Sequence, residues 1–262
     1  MDTLDEASAL KALLDWQAEL GADVAIGEMP ADRYAESAAS ASLQGGAGTA
    51  AAAAVAMSSA AATPDPVEEA KSAAAASPTL DALAEALGAF DHCELKRGAR
   101  RLVFSDGRPG ARVMIVGEAP GREEDEQGKP FVGRAGQLLD RMLAAIGLDR
   151  NAPDLAQAVY ITNILPWRPP QNRAPTPEEI AMLRPFVVRH VELAAPDVVI
   201  AMGNTACAGL LGQKGITRLR GSWNEFAGRP CLPMFHPAFL LRNPYAKREA
   251  WADLLSLKSR LD

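Results

Sequence analysis

Three short stretches hold most of the side chains able to do chemistry: GEAPG at 117–121, TNILPWRPPQNR at 162–173 and FHPAFLLRNP at 235–244. The first begins like a phosphate-binding turn, fills with acid, and becomes basic around Gly133, Arg134 and Gly136. A nucleotide P-loop needs G-x-x-x-x-G-K-[ST]. Here six residues separate Gly121 from Gly128-Lys129, four of them are acidic, and Pro130 follows the lysine. The dinucleotide fingerprint is missing too, because GEAPG puts a proline where the helix turn needs a free amide. Carboxylates repel phosphate, so this stretch reads as a loop offering carboxylates and backbone amides to a polar ligand. Phe131, between Pro130 and Gly133, supplies an apolar plate beside it or serves as an ordinary core phenylalanine. Asn163 carries a donor and an acceptor on one amide, or caps a helix. His236 is one of three histidines, and His92 and His190 sit in no comparable context.

These stretches must be positioned by regular elements, and the sequence supplies them in alternation. RVMIVG (112–117), VYITNI (159–164), DVVIAMG (197–203) and PCLPMF (230–235) read as buried strands. Leu138, Leu139, Met142, Leu143 and Ile146 form a helical stripe closed by Gly147. PEEIAMLRPFVVRHVEL starts with a proline and two glutamates, as a helix N-terminus does, and further helices are expected at TACAGLLG and KREAWADLLSLKSRL. Alternating strands and helices predict a mostly parallel sheet covered on both faces, with ligands at the carboxyl ends of its strands. All three polar stretches lie at such ends.

The chain divides by composition. LDEASALKALLDWQAEL (4–20) predicts a short amphipathic helix within a segment 1–35. Residues 36–78 are mostly Ala, Ser, Gly and Pro, too poor in side-chain area to offset the entropy of ordering, and are expected to be a disordered linker. The helical pattern TLDALAEALGAF opens the folded domain, 79–262. The net charge of −6 conceals an asymmetry: residues 1–92 hold 15 acidic and 3 basic side chains, the rest 18 and 24. A basic body suits a polyanionic partner, although a solvated surface without one has the same composition. No apolar run reaches the length of about 18 residues expected of a membrane span, and the acidic start lacks a signal-peptide pattern. A cytoplasmic chain without membrane association is expected, its three scattered cysteines reduced.

GEAPG-x6-GKPFVGRAGQLLD, followed by TN-x4-RPP-x-NR, ITRLRG and HPAFLLRNP, resembles the family 4, thermostable iron-sulfur type, of the uracil-DNA glycosylase superfamily, over about residues 88–260. The resemblance implies a three-layer α/β/α sandwich that flips uracil out of DNA and cleaves its N-glycosidic bond, and a monomer is expected. It implies Asn163 reading the uracil edge, Phe131 stacking on the ring, and His236 donating to uracil O2. Glu118 and Ala119 would lie in the site wall, and Glu124 near uracil C5. Ala119 stands where family 1 enzymes carry an aspartate, so no base for water is assigned, and Glu118, Glu124 and Asp125 are the nearby carboxylates. Leu240 and Leu241 supply an apolar wedge or belong to the core, with Arg242, Arg134, Arg168 and Arg173 as phosphate contacts.

One departure from the family concerns its cofactor. The four cysteines that would hold a four-iron four-sulfur cluster fall at Phe90, Cys93, Trp167 and Leu183, so only one ligand remains and no cluster is expected. The lost cluster and Ala119 also admit a second reading: a catalytically weak protein that binds uracil-containing or single-stranded DNA.

Overall fold

The computed structural model describes residues 65–262. The amphipathic helix expected over 4–20, and most of the expected linker, lie outside the described residues. The rest of that linker differs from expectation, because Pro66–Ala75 is a helix, α1. Asp65 caps it by accepting from Val67 N at 2.9 Å, proline opens it, and Glu68 and Glu69 occupy its first turn. Ala70 and Ala74, four residues apart on one face, are buried against the long helix Pro177–Ala194. Alanine composition misleads here: small side chains bury little area each, but they let two helices approach closely. The Arg189 guanidinium also donates to Ser77 O at 3.0 and 2.9 Å, anchoring the end of this segment to the same helix.

Six strands form one sheet. Val113–Gly117 (β2), Val159–Asn163 (β3), Val198–Met202 (β4) and Arg229–Met234 (β6) run parallel in the order β3, β2, β4, β6. The Val- and Ile-bearing strands β2, β3 and β4 are buried on both faces, which is why they read as apolar sequence, while β6 is buried from Cys231 onward. Two short antiparallel strands, β1 (Asp106–Gly107) and β5 (Asn224–Phe226), finish the edges and were not expected. They are two and three residues long and carry no period that a pattern could detect.

Alternation along the strands separates two cores. Met114, Val116, Tyr160 and Val199 face α1, α2 (Leu80–Ala89), α6 (Pro177–Ala194) and α7 (Gly203–Leu211). Val113, Ile115, Ile161 and Ile200 face α5 (Arg134–Ala144) and the C-terminal helix α10 (Lys247–Leu261). The result is the expected three-layer α/β/α sandwich. Shorter helices fill the connections: α3 (Leu95–Gly98), α4 (Arg122–Gln127), α8 (Ile216–Leu219) and α9 (Pro237–Arg242). α6 starts with a capping box, in which Thr176 Oγ1 accepts from Glu179 N and Glu179 Oε2 accepts from Thr176 N.

The chain leaves β2 for β3 on one side and then crosses to β4 on the other. The reversal of strand order at β2 opens a crevice at the carboxyl ends, where ligands of such sheets bind. Behind it, the Tyr160 hydroxyl bridges Ser105 Oγ and His190 Nε2 at 2.9 Å each. His190 is thus a core histidine, pushed down to about 3 by burial and therefore neutral.

Candidate active site

The ends of β2, β3 and β6 converge on a cavity of about 240 Å³ whose wall includes Glu118, Ala119, Glu124, Phe131, Asn163 and His236. These six sequence candidates are brought together by the sheet register, which pairs Gly117 with Asn163. Gly117 must lack a side chain, because a Cβ there would collide with Asn163 Oδ1 and the Phe131 ring.

Phe131 is held in an unusual backbone conformation, with φ at 54° in the left-handed region. For a residue with a Cβ this costs about 1–3 kcal/mol. A two-sided clamp maintains it. On the carbonyl side, the buried Arg150 donates from Nη1 to Pro130 O at 3.0 Å and from Nη2 to Phe131 O at 2.9 Å. Asp106 and Asp140 hold the same guanidinium at 3.1 and 2.9 Å. On the amide side, Glu124 Oε1 accepts from Val132 N and Gly133 N, both at 3.0 Å, and Oε2 accepts from Gly121 N at 3.1 Å. Hydrogen bonds to charged groups contribute about 1.5–3 kcal/mol each, so the four that grip residues 130–133 outweigh the strain. Gly136 completes the fit, since a Cβ there would overlap the Phe131 carbonyl. Glu124 was expected beside the ligand ring. It does line the cavity, but both its oxygens are committed to backbone amides.

His236 follows β6 as the N-cap of α9, its Nδ1 accepting from Ala238 N at 3.1 Å. That bond requires an unprotonated Nδ1, so the neutral ring carries its proton on Nε2, leaving Nε2–H to donate to a ligand. Burial, with help from the positive charge of Arg242, pushes His236 down to about 4. Its ring stacks against Phe131 with centroids 5.4 Å apart. Asn163 is buried at the end of β3, and its side-chain amide makes no hydrogen bond among the described residues. Glu118 Oε2 accepts from Thr205 Oγ1 at 2.5 Å, leaving Oε1 without such a partner among the described residues. Asp125 turns away from the cavity to accept from Arg100 N and Arg101 N at 2.8 and 3.3 Å.

The cationic and wedge candidates surround this cavity less uniformly. Arg173 lines it but also forms a two-pronged ion pair with Glu179 at 2.9 and 2.6 Å. Arg168 donates to Asn172 Oδ1 at 2.8 Å, and it is Asn172 that reaches the cavity. Arg134 and Arg242 are exposed and form no ion pair among the described residues. The wedge needs correction. FHPAFLLR forms α9, and the helical phase turns Leu240 into the core at 1% exposure, leaving Leu241 half-buried as the member of the pair that can meet a ligand.

Sequence reasoning missed Arg150, Thr205 and Asn172. Asn172 sat inside a quoted motif, whereas Arg150 and Thr205 carry no local signal because their partners lie far away along the chain. The positions that would hold a cluster do not fit one. Phe90, Trp167 and Leu183 offer no sulfur, and with Cys93 they are buried in the same hydrophobic core. Burial pushes the Cys93 thiol up, Cys207 up to about 11 and Cys231 up to about 12, so all three stay protonated.

Arg150→Met removes the guanidinium while retaining most of the side chain's length. It strands two carbonyls and Asp106, and should lower the free energy of unfolding by about 3 kcal/mol or more. Urea denaturation measures this, and a loss within the uncertainty of the midpoint would show that the loop holds its shape without the clamp.

A sequence profile of the uracil DNA glycosylase superfamily matches residues 104–255. The chain is 42% identical over 154 residues to a type-4 uracil-DNA glycosylase of Thermotoga maritima, covering 58% of this chain and 77% of that protein. It is 37% identical over 184 residues to the type-4 enzyme of Archaeoglobus fulgidus, covering 67% of this chain and 89% of the relative. A third type-4 enzyme, from Saccharolobus solfataricus, is 34% identical over 192 residues, covering 70% of this chain and 86% of the relative. With a sheet that opens at its switch point onto the expected asparagine, phenylalanine and histidine, the chain belongs to the uracil-DNA glycosylase superfamily.

Proposed function

We propose that the chain is a DNA-repair glycosylase that flips uracil out of DNA, hydrolyses its N-glycosidic bond, and leaves free uracil and an abasic site. One observation carries this reading: a single cavity holds an amide with no hydrogen-bond partner among the described residues and a neutral histidine whose uncommitted ring nitrogen is a donor. Asn163 Oδ1 accepts from uracil N3–H while Nδ2 donates to O4. Cytosine presents the reverse pattern and leaves both groups unpaired. Phe131 stacks on the extruded ring, the unstacking being offset by contacts within the cavity.

As the bond between C1′ and uracil N1 breaks, its electron pair passes to the base and negative charge gathers on O2. His236 Nε2–H meets that charge from a position fixed before the reaction. A neutral donor suffices, so the histidine need not be charged. Water then adds to C1′ and releases a proton to solvent, while the uracil anion takes one up. Glu118, with one oxygen held by Thr205, uses the other to orient the water.

Arg134, Arg168 and Arg242 grip phosphates around the extruded nucleotide, with Leu241 at the vacated stack and Arg173 shared with Glu179. The enzyme works as a cytoplasmic monomer. It also works without a four-iron four-sulfur cluster. This last reading is supported by three large apolar side chains at ligand positions, each contributing about 1.5–3 kcal/mol by burial in place of metal–sulfur bonds.

Asn163→Asp and His236→Ala should each slow uracil release from a labelled oligonucleotide by about 10²-fold or more while leaving thermal unfolding nearly unchanged. Near-normal release by both would remove them from the mechanism. Because His236 is already neutral down to about pH 4, the parent's rate should show no inflection near the ordinary histidine value of about 6.5. A rate falling on a histidine titration there, and absent from His236→Ala, would contradict the neutral donor. Protein purified without oxygen should contain no stoichiometric iron and no visible absorbance, and a full cluster whose removal abolishes activity would overturn the metal-free reading.

A further inference from the structure

We propose that the face beyond the cavity is a track for single-stranded DNA, formed by Tyr245 and Trp251 among the cations Arg141, Arg242, Lys247 and Arg248. The inference rests on reading the chain as an enzyme acting on DNA, and extends it to how the strand beside the extruded base is held.

Two helices each wall both the cavity and a second hollow. On α9, Ala238 lines the cavity, while Leu240 lines a groove of about 260 Å³ between α5 and α10. On α5, Ala135 faces the cavity and Met142 the groove, which Ala145 at the C-cap of the helix also lines. From Ala135 to Ala145 is about 15 Å at the helical rise, the span of a few nucleotides. The groove and the site therefore share two of their walls.

Its remaining lining includes Arg141, Lys247 and Trp251, and no acidic side chain. Next to the groove residue Lys247 along the chain, the turn Pro244–Ala246 joins α9 to α10 and carries Tyr245, which is 97% exposed. A tyrosine so exposed contributes no packing to the fold. Trp251 is 43% exposed on the first turns of α10. Among the described residues Arg141, Arg242, Lys247 and Arg248 form no ion pair, whereas Arg112, Arg150, Arg173 and Arg220 each hold a carboxylate. Arg242 is close enough to the cavity for its charge to be felt at His236.

Aromatic faces set between unpaired cations meet the two demands of a flexible strand: bases stack on the rings and phosphates pair with the cations, with little regard to sequence. A protein partner would leave the cations without counterpart charge unless it were strongly acidic. A rigid duplex has no free base faces to offer Tyr245 or Trp251. Single-stranded DNA continuing from the extruded nucleotide satisfies both kinds of group.

The test uses a short uracil-free single-stranded DNA oligonucleotide for affinity, read by fluorescence anisotropy, and the same sequence with one deoxyuridine for excision. Tyr245→Ala and Trp251→Ala should each bind the uracil-free strand at least about fivefold more weakly, with Tyr245→Phe and Trp251→Phe close to the parent. Lys247→Ala should reduce the slope of log affinity against log salt by about 0.7, whereas Tyr245→Ala leaves the slope unchanged. On the uracil strand, KM should rise with kcat unchanged. Parent-like affinity in Tyr245→Ala and Trp251→Ala would overturn the track, as would equal losses in Tyr245→Phe and Tyr245→Ala, which would indicate a role for the hydroxyl. The two readings fail separately: a parent that releases no uracil refutes the enzyme assignment, while the affinity series still decides the track.

Discussion

The peptide from Pro130 to Gly133 is gripped from both sides, and the geometry of the site depends on that grip. Arg150 takes its carbonyls, Glu124 takes its amides, and Phe131 is held between them at a positive φ. The strained backbone stands the ring beside the Asn163 amide and the His236 imidazole. Without the clamp, a relaxed Phe131 would leave that position, and the cavity would lose its aromatic wall. The same carboxylate ties Gly121 to Val132 and Gly133, so the first polar loop and the Phe131 turn are held together. Small residues make the arrangement possible: Gly117 clears space for the asparagine and the ring, and Gly136 for the carbonyl.

Electrostatics in the cavity follow from burial and from which atoms are already occupied. His236 has one nitrogen spent on the cap of α9, which fixes the tautomer and leaves a single donor for a ligand. Burial then keeps the ring neutral, so the cavity offers an uncharged donor rather than a cation. Glu118 is oriented by Thr205 from the neighbouring helix. Phe131, His236 and Glu118 thus each owe their position to a second residue, and the sheet register holds the groups together.

Much of this is legible in the sequence, for identifiable reasons. The four parallel strands read as apolar runs, rich in Val and Ile in all but β6, because both their faces are covered, and α6 begins with a proline and two glutamates that mark its N-terminus. Asn163 and His236 can be found because each stands at or just beyond the end of such a strand. The failures are equally specific. Composition assigns α1 to a linker because it measures side-chain area and cannot see that Ala70 and Ala74 permit close helix packing. Leu240 reads as a wedge because an apolar run has no phase until the helix containing it is known. Glu124 lines the cavity as expected, but its grip on the Phe131 turn escapes a local reading because the amides it serves come from eight and nine residues further along the chain. Arg150 joins β1, α5 and the Phe131 loop, and no local pattern encodes a contact among three separate segments.

If Arg150 acts on the chemistry through Phe131, a double-mutant cycle on single-turnover uracil excision will reveal the coupling. Arg150→Lys, Phe131→Ala and the double variant would be compared with the parent on one uracil-containing oligonucleotide. A clamp that works by placing the ring predicts that Arg150→Lys slows excision in the parent but has almost no effect once the ring is gone, so the double variant matches Phe131→Ala. Losses that instead multiply would mean that Arg150 serves the site by some other route, and would contradict a clamp that acts through the ring.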